Sequence, residues 1–269
     1  MTQYSIGEVS SLLNLSRDMI RYYEKQGAIH SQRNENNNYR TYDTMEVFWL
    51  LEAVQHKTWG VPINQITEMR QHQYTVSTDR FLELKIKELN ASVTYQALLA
   101  NRLQELRRDM RFSVLNIGNF WITEMPASYR YHLVRGRDGD DYDRINLSPE
   151  VSQFVFSERL FPFFETGLTV RDGCADWEMT INPLYTDKLC TDLPAGFEFI
   201  SSSPVLCTHI DIGEIGTFNP QDFDIILDYA DQHGYSYPEN ACIRGSLLGR
   251  GFEGNRFRRI LRLYLPIAS

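Results

Sequence analysis

The sequence predicts an α+β protein built from three parts in chain order. Residues 1–75 indicate short helices with a small wing, residues 76–111 one long helix, and residues 112–269 a mixed α+β domain. Three observations support this: closely spaced helix caps near the start, a long apolar repeat in the middle, and alternating β-rich segments afterwards. A chain of 269 residues can form two domains with hydrophobic cores, given roughly 100–200 residues per domain.

The first part predicts a winged helix-turn-helix. Ser5 and Glu8 have the spacing of a capping box, and Ser16 is placed to cap a second helix that ends near Gly27. Two short helices joined by so brief a turn favour the helix-turn-helix arrangement.

A small wing is expected after the second helix. Residues 28–30 are predicted to pair with residues 39–42 across the Asn-rich loop 34–38. Asp43 has the position of a cap for a third helix, which Gly60 ends before a fourth.

Residues 77–110 predict one long amphipathic helix. Its apolar residues follow spacings of three and four along a narrow stripe: Leu82, Ile86, Leu89, Val93, Leu99, Leu103, Leu106 and Met110. Such a stripe suits an antiparallel pair of dimerisation helices from two subunits, a coiled coil. Packing of this helix on its own domain is the alternative.

The C-terminal part predicts strands interrupted by two helices. Strands are expected over 112–124, 129–134, 177–181, 205–212, 241–248 and 257–265, and helices over 148–165 and 220–233. This order suggests two similar βαββ halves and therefore an internal duplication.

Bulk properties limit the class of protein. The formal net charge is -8, but residues 1–75 contain seven Lys and Arg against eight Asp and Glu, so the acidity lies in the C-terminal part and does not exclude nucleic acid. Neither a signal peptide nor a membrane span is expected, which favours a cytoplasmic protein. The cysteines, predicted as buried reduced thiols without metal-ligand spacing, are Cys174, Cys190, Cys207 and Cys242.

A basic face on the second helix indicates DNA binding. Arg17, Arg21 and Lys25 are spaced by four residues and share one face, which can reach base edges and phosphates in a major groove. Tyrosine hydroxyls and further basic residues would extend the contact. The residues predicted to contact DNA are Arg17, Arg21, Tyr22, Tyr23, Lys25, Tyr39, Arg40, Tyr42, His56 and Lys57.

Four separated segments resemble the N-terminal domain of the MerR family: residues 4–9, 20–27 with its Arg-Tyr-Tyr-Glu run, 38–42 and 60–66. The resemblance implies a homodimer that binds an inverted repeat within a promoter whose spacer is too long for RNA polymerase holoenzyme. It also implies activation by bending and untwisting that spacer when an effector binds.

The C-terminal part resembles the GyrI-like effector-binding domain of the multidrug-sensing branch of that family, in element order and in segment 257–267. This resemblance implies a site for a small lipophilic, cationic compound, formed by aromatic rings and a carboxylate. The candidates are Trp121, Tyr131, Trp177, Glu178, Tyr229, Arg244 and Tyr264. Where the family has a cation-binding glutamate, this sequence has Arg244, so Glu178 is the substitute carboxylate and an anionic ligand is the alternative.

Two other functions remain open. Some GyrI-like domains hydrolyse small molecules, but no triad of catalytic residues is recognisable here, and an enzyme is not expected. Alternatively, the chain is a ligand-independent regulator or repressor. No cofactor and no metal are expected.

Overall fold

The computed structural model describes residues 2–34, 38–71, 74–137, 147–157, 159–171, 173–214 and 216–268. These residues form two compact units, residues 1–89 and 90–269. The boundary between the two units falls inside a long helix.

The first unit consists of short helices and a three-stranded sheet. Its elements are β1 (Gln3–Ser5), α1 (Ile6–Leu13), α2 (Arg17–Lys25), β2 (Gln32–Arg33), β3 (Arg40–Asp43), α3 (Thr44–Thr58), α4 (Ile63–Gln71) and the start of α5 (Tyr74–Leu115). The antiparallel strands have the order β1-β3-β2.

Side-chain caps begin these helices as the sequence predicts. The Ser5 hydroxyl accepts the Glu8 amide at 3.3 Å, and the Glu8 carboxylate accepts the Ser5 amide at 2.7 Å, which forms the predicted capping box. Ser16 caps α2 and Asp43 caps α3. Gly27, after α2, has a φ of 77°, which a residue without a Cβ adopts without strain.

The predicted wing pairing is wrong by a few residues. Strand β2 consists of Gln32 and Arg33, which pair with Thr41 and Arg40, whereas segment 28–30 forms no strand. The reason is burial, because the apolar side chains of that segment belong to the core of the unit rather than to an exposed ribbon. The Asn-rich loop lies partly outside the described residues, which omit 35–37.

One ion pair links three segments of the first unit. The guanidinium of Arg70 on α4 donates to both carboxylate oxygens of Glu46 on α3, at 2.9 and 2.5 Å. Glu46 also accepts the backbone N–H of His30 at 2.7 Å, and Arg70 donates to the Ala28 carbonyl at 2.9 Å. Both charged side chains are largely buried, so the pair holds α3, α4 and the segment after α2 together.

Helix α5 is longer than predicted at both ends. Residues 112–115, predicted as the start of a strand, form its last turn, and the first strand of the second unit begins only at Phe120. Short apolar runs do not distinguish a strand from a helix that buries one face, which explains the error. No helix in the described part of the chain is both long and apolar enough to cross a membrane.

Much of the predicted stripe on α5 is uncovered. Leu82, Ile86 and Leu89 are exposed in the first unit, and Val93, Leu103 and Met110 in the second. Leu99 and Leu106 are partly covered within the second unit. The exposed members leave apolar surface on the helix in a single chain.

The second unit contains one eight-stranded antiparallel sheet of order β4-β9-β11-β10-β6-β7-β5-β8. The strands are β4 (Phe120–Met125), β5 (Ser128–Arg137), β6 (Glu165–Arg171), β7 (Cys174–Ile181), β8 (Glu198–Ile200), β9 (Ser203–Asp211), β10 (Ile243–Glu253) and β11 (Arg256–Pro266). The helices are α6 (Pro149–Val155), α7 (Pro183–Lys188) and α8 (Asp224–His233), with 3₁₀ turns at Phe161–Phe163 and Pro220–Phe223.

Two predictions for this unit need correction. The helix predicted over 148–165 is a short α6 and a 3₁₀ turn around Pro162, and residue 165 already begins β6, which the sequence analysis missed. Proline ends regular helix hydrogen bonding, so the segment cannot continue as one helix. Cys174 and Cys190 are exposed rather than buried, since they lie at the start of β7 and after α7.

The two faces of the sheet differ in polarity. One face buries Leu168, Trp177 and Leu263 against Ile226 and Ala230 of α8. The opposite face has charged residues and is linked by ion pairs to the C-terminal part of α5. Arg102 lies 2.7 Å from Glu165, and Asp109 lies 3.0 Å from Arg262.

We expect Glu46→Ala to lower the free energy of unfolding by about 2–4 kcal/mol, because it leaves the buried Arg70 guanidinium without its carboxylate. Glu83→Ala is the matched control, since it removes an exposed helical ion pair with Lys87 and should change stability by less than about 0.5 kcal/mol. Urea unfolding followed by circular dichroism measures both. Equal effects of the two substitutions would contradict the structural role of Glu46.

Candidate functional sites

Helix α2 presents a basic face on the first unit. Arg17, Arg21 and Lys25 are exposed, as the spacing predicts, and Tyr22 is exposed beside them. The opposite side of the helix buries Ile20 and Tyr23 in the core. Arg21 pairs with Asp18 at 3.1 Å, and both side chains are so exposed that this pair competes little with another anion.

Glu24 joins α2 to the wing. Its carboxylate accepts the Tyr42 hydroxyl at 3.2 Å and lies 3.3 Å from Nε of Arg40, both on β3. The Ser31 hydroxyl donates to the same carboxylate. Burial and the charge of Glu24 raise the pKa of Tyr42 to about 12, so its hydroxyl keeps the proton that it donates. These contacts fix the wing against the exposed helix.

Three residues predicted to contact DNA are buried. Tyr23, Tyr42 and His56 are 4 %, 1 % and 5 % exposed, so their side chains pack inside the first unit rather than on the basic face. His56 packs edge-on against Trp59, with 5.2 Å between ring centroids. Tyrosine and histidine are amphipathic, and the sequence does not reveal which end of such a side chain is covered.

The other predicted wing and helix residues are accessible. Tyr39 is 72 % exposed at the wing, and Arg40 and Lys57 are also exposed. Arg33 on β2, which the sequence analysis did not select, is exposed next to Arg40 and donates to the Asn38 carbonyl at 3.1 Å. Its cross-strand position follows from the register of the wing, which the sequence analysis misplaced.

A cavity of about 80 Å³ lies on the charged face of the sheet in the second unit. Three of the seven residues predicted for the effector, Glu178, Arg244 and Tyr264, line it. The other lining residues are Met125, Pro126, Ser128, Arg130, Glu165, Leu168, Thr180, Ile200, Gly245 and Ser246. Adjacent positions on β6, β7, β10 and β11 thus bring the predicted acid and the predicted base into one site.

The remaining candidate rings belong to other places. Trp177 points to the opposite face and packs against Phe218 in the core, because neighbouring residues of a strand alternate between faces. Tyr229 stacks on Phe120 with centroids 3.8 Å apart. Tyr131 packs on Phe197 at 5.3 Å.

Trp121 lies near the cavity but does not line it. Its ring packs against Met125 and Tyr264, which do line the cavity, and edge-on against His209 at 4.9 Å. Of the predicted aromatic candidates, therefore, only Tyr264 forms part of the wall.

Both carboxylates of the cavity are already partnered. Glu178, with 4 % of its side chain exposed, lies 3.2 Å from Arg130 and accepts the Thr169 hydroxyl at 2.8 Å. Glu165 pairs with Arg102 at 2.7 Å and accepts the Ser246 hydroxyl at 2.9 Å. Arg130 and Glu165 were not selected from the sequence. Alternation along β5 could have suggested Arg130, which lies opposite Thr180 and therefore diagonal to Glu178 on the same face. Glu165 was missed because β6 was not recognised.

Arg244 has a different environment. Its Nε is buried and has no hydrogen-bond partner, and the described part of the chain offers this guanidinium no ion pair. Tyr264 lies opposite Arg244 on β11, and its hydroxyl accepts a hydrogen bond from Arg262 of the same strand at 3.4 Å. Burial raises the pKa of Tyr264 to about 12, so the phenol is neutral.

A second cleft, of about 230 Å³, lies between the end of α5 and the β10–β11 hairpin. Met110, Ser113 and Val114 line one side, and residues 249–253 line the other, with Arg258 and Ile260. None of the predicted effector residues lies there. Over the described ranges, no three His, Cys, Asp or Glu side chains are grouped to hold a metal ion.

One protein family matches part of the first unit. Residues 5–42 match the family described as MerR family regulatory protein. These residues include α1, α2 and the wing strands. No curated protein sequence matches the chain.

Solved structures similar to this chain include an EcmrR–DNA complex in EcmrR-RPo, with 15 % identity, a TM-score of 0.36, and coverage of 98 % of this chain and 99 % of that one. A MerR-family transcriptional regulator from Bacillus cereus has 17 % identity and a TM-score of 0.34, covering 41 % and 84 %. HiNmlR, a MerR-family regulator bound to promoter DNA, has 15 % identity and a TM-score of 0.31, covering 42 % and 94 %.

The family match covers only the start of the chain, and it coincides with the capped helices, the basic face of α2 and the wing. Residues 5–42 of this chain therefore match a MerR-family helix-turn-helix domain.

Proposed function

We propose that this chain is a dimeric, ligand-responsive transcription regulator that binds an inverted repeat in a promoter. The exposed basic face of α2 beside a wing fixed by Glu24, within the MerR-family match, supports this function above all. The contact residues are Arg17, Arg21, Tyr22, Lys25, Arg33, Tyr39, Arg40 and Lys57. RNA polymerase holoenzyme is the proposed protein partner, and activation proceeds by bending and untwisting the promoter spacer.

The uncovered stripe on α5 favours a dimer. Leu82, Ile86, Leu89, Val93, Leu103 and Met110 leave a row of apolar side chains in water in one chain. A second copy of the same helix, running antiparallel, buries this row by the two-fold symmetry that is usual for homodimers.

The order of strands supports a GyrI-like duplicated domain. The first half runs β5-α6-β6-β7 and the second half β9-α8-β10-β11, and the sheet contains β9-β11-β10 next to β6-β7-β5. The two halves therefore meet where β6 pairs with β10. The 80 Å³ cavity lies at this junction, which is the proposed effector site.

Two ion pairs connect the proposed effector site to α5. Glu165 lines the cavity and pairs with Arg102 of the helix, and Asp109 of the helix pairs with Arg262, which donates to the cavity residue Tyr264. A ligand that binds one arrangement of these groups better than another shifts the population of the helix position. Activation by the effector then needs no contact between ligand and DNA.

The lipophilic cation expected from the sequence finds no free carboxylate among its proposed partners. Glu178 was its proposed partner, but the carboxylate is already paired with Arg130, and Trp177 lies on the other face of the sheet. A cation would have to displace Arg130 from a site where few side-chain atoms reach water.

We expect Arg21→Ala to weaken operator binding by about 1–3 kcal/mol, because it removes one base or phosphate contact from the centre of the helix face. Arg108→Ala is the control, since it removes an exposed arginine of α5 in the second unit. Duplexes selected from a random pool by the wild-type protein provide the ligand for anisotropy titrations. Equal affinities of all three proteins would rule out α2 as the recognition helix.

We expect Val93→Glu to convert a dimer to a monomer at micromolar concentration, because two glutamates would then be buried in the helix pair. Leu84→Glu should leave the dimer intact, since Leu84 is comparably exposed but lies off the stripe. Sedimentation velocity measures both. A monomeric wild-type protein, or a dimer that tolerates Val93→Glu, would contradict the proposed seam.

The proposed activation mechanism predicts a dependence on spacer length. The selected inverted repeat is placed between the two promoter elements, with either a lengthened or an ordinary spacer, and transcribed by purified holoenzyme. We expect the protein to stimulate only the long-spacer promoter, since untwisting brings its elements into register. Repression of both templates would instead support the simple repressor that the sequence left open.

A further inference from the structure

We propose that the 80 Å³ cavity binds a small organic monoanion, a carboxylate, through Arg244. This inference rests on the proposed function, because it names the chemical class of the effector at the same site. It reverses the charge expected from the sequence, where Glu178 was the favoured partner.

The first step concerns the negative groups of the cavity. Glu178 has a cation at 3.2 Å and a hydroxyl at 2.8 Å, and Glu165 has a cation at 2.7 Å and a hydroxyl at 2.9 Å. A buried carboxylate with both a cation and a hydrogen-bond donor has little remaining affinity for a cationic ligand. Neither carboxylate therefore requires a ligand to complete its environment.

The second step concerns the positive groups. Arg130 and Arg102 are used by these carboxylates, and Arg262 pairs with Asp109. Arg244 also lines the cavity, and among the described residues no carboxylate forms an ion pair with it and no acceptor bonds its Nε. A partly buried guanidinium without a counter-charge is costly, and a carboxylate in the cavity that accepts N–H bonds from it supplies that charge.

The third step concerns size and the remaining wall. Met125 and Ile200 provide apolar surface, and the Tyr264 phenol lies across the strand pair from Arg244. A volume of about 80 Å³ is several times what one water needs and well below the roughly 300 Å³ of a site for a drug-sized ligand. A carboxylate with one short or single-ring apolar group matches this wall.

Three probes of nearly identical shape separate charge from shape: benzoate, neutral benzamide and cationic benzamidine. Isothermal titration of each into the full-length protein tests the proposal. We expect benzoate to bind at least about tenfold more tightly than benzamide, the gain typical of a charge-assisted hydrogen bond, and benzamidine to bind more weakly than either. Acetate, with the same head group, should compete with benzoate.

Variants then test whether Arg244 is the residue that binds the carboxylate of benzoate. Arg244→Gln should weaken benzoate binding at least about tenfold, whereas Glu178→Gln should not weaken it, because Arg130 then becomes a further donor. Arg250→Gln is the matched control, since Arg250 is exposed on the same strand and outside the cavity. Thermal melting checks that each variant is folded. If Arg244→Gln does not fold, the preference of the wild-type protein for benzoate over benzamide and benzamidine still tests the proposal.

The outcomes separate this inference from the proposed function. Preference for benzoate that depends on Arg244 supports it. Preference for benzamidine, equal binding of all three probes, binding of none, or benzoate binding unaffected by Arg244→Gln would overturn it. Binding of selected DNA by the same preparations reports on the regulator function separately, so a DNA-binding protein without anion preference refutes only the ligand class.

Discussion

A carboxylate removed from water needs a cation or hydrogen-bond donors as partners. This constraint determines how several distant segments of the chain pack together. Glu24 fixes the wing to α2, Glu46 fixes α4 and the segment after α2 to α3, and Glu178 fixes Arg130 within the 80 Å³ cavity. In each case, the partner comes from a distant part of the sequence. The exposed basic groups around α2 remain available because the acids nearest to them are occupied or solvated.

The same constraint organises the charged side chains of the second unit. Its sheet has one apolar face, which forms the core with α8, and one charged face, whose groups pair with each other and with α5. Burial lowers the pKa of His209 to about 4, so a neutral imidazole accepts a hydrogen bond from Arg262. Because the charges on this face are mutually compensated, the unsatisfied Arg244 becomes the feature that distinguishes the cavity.

The sequence was most informative where structure is local. Caps at Ser5, Ser16 and Asp43 depend on groups within three residues, and all three were predicted. It was least informative where a residue's neighbours are distant in the chain. The wing register was displaced because the burial of segment 28–30 depends on α3 and α4 as well as on its own residues.

The sequence by itself determined the helix-turn-helix, the basic face of α2, the long helix and the predominance of strands in the second unit, because these follow from caps and periodicity. Only the tertiary structure decided which tyrosines are buried, that Glu178 is paired with Arg130, and that Arg244 lines the same cavity with no hydrogen-bond partner for its Nε among the described residues. The physical reason is that burial and pairing depend on contacts between strands far apart in sequence. A local sequence pattern specifies which charged side chains are present, but only packing decides which of them find an ion-pair or hydrogen-bond partner.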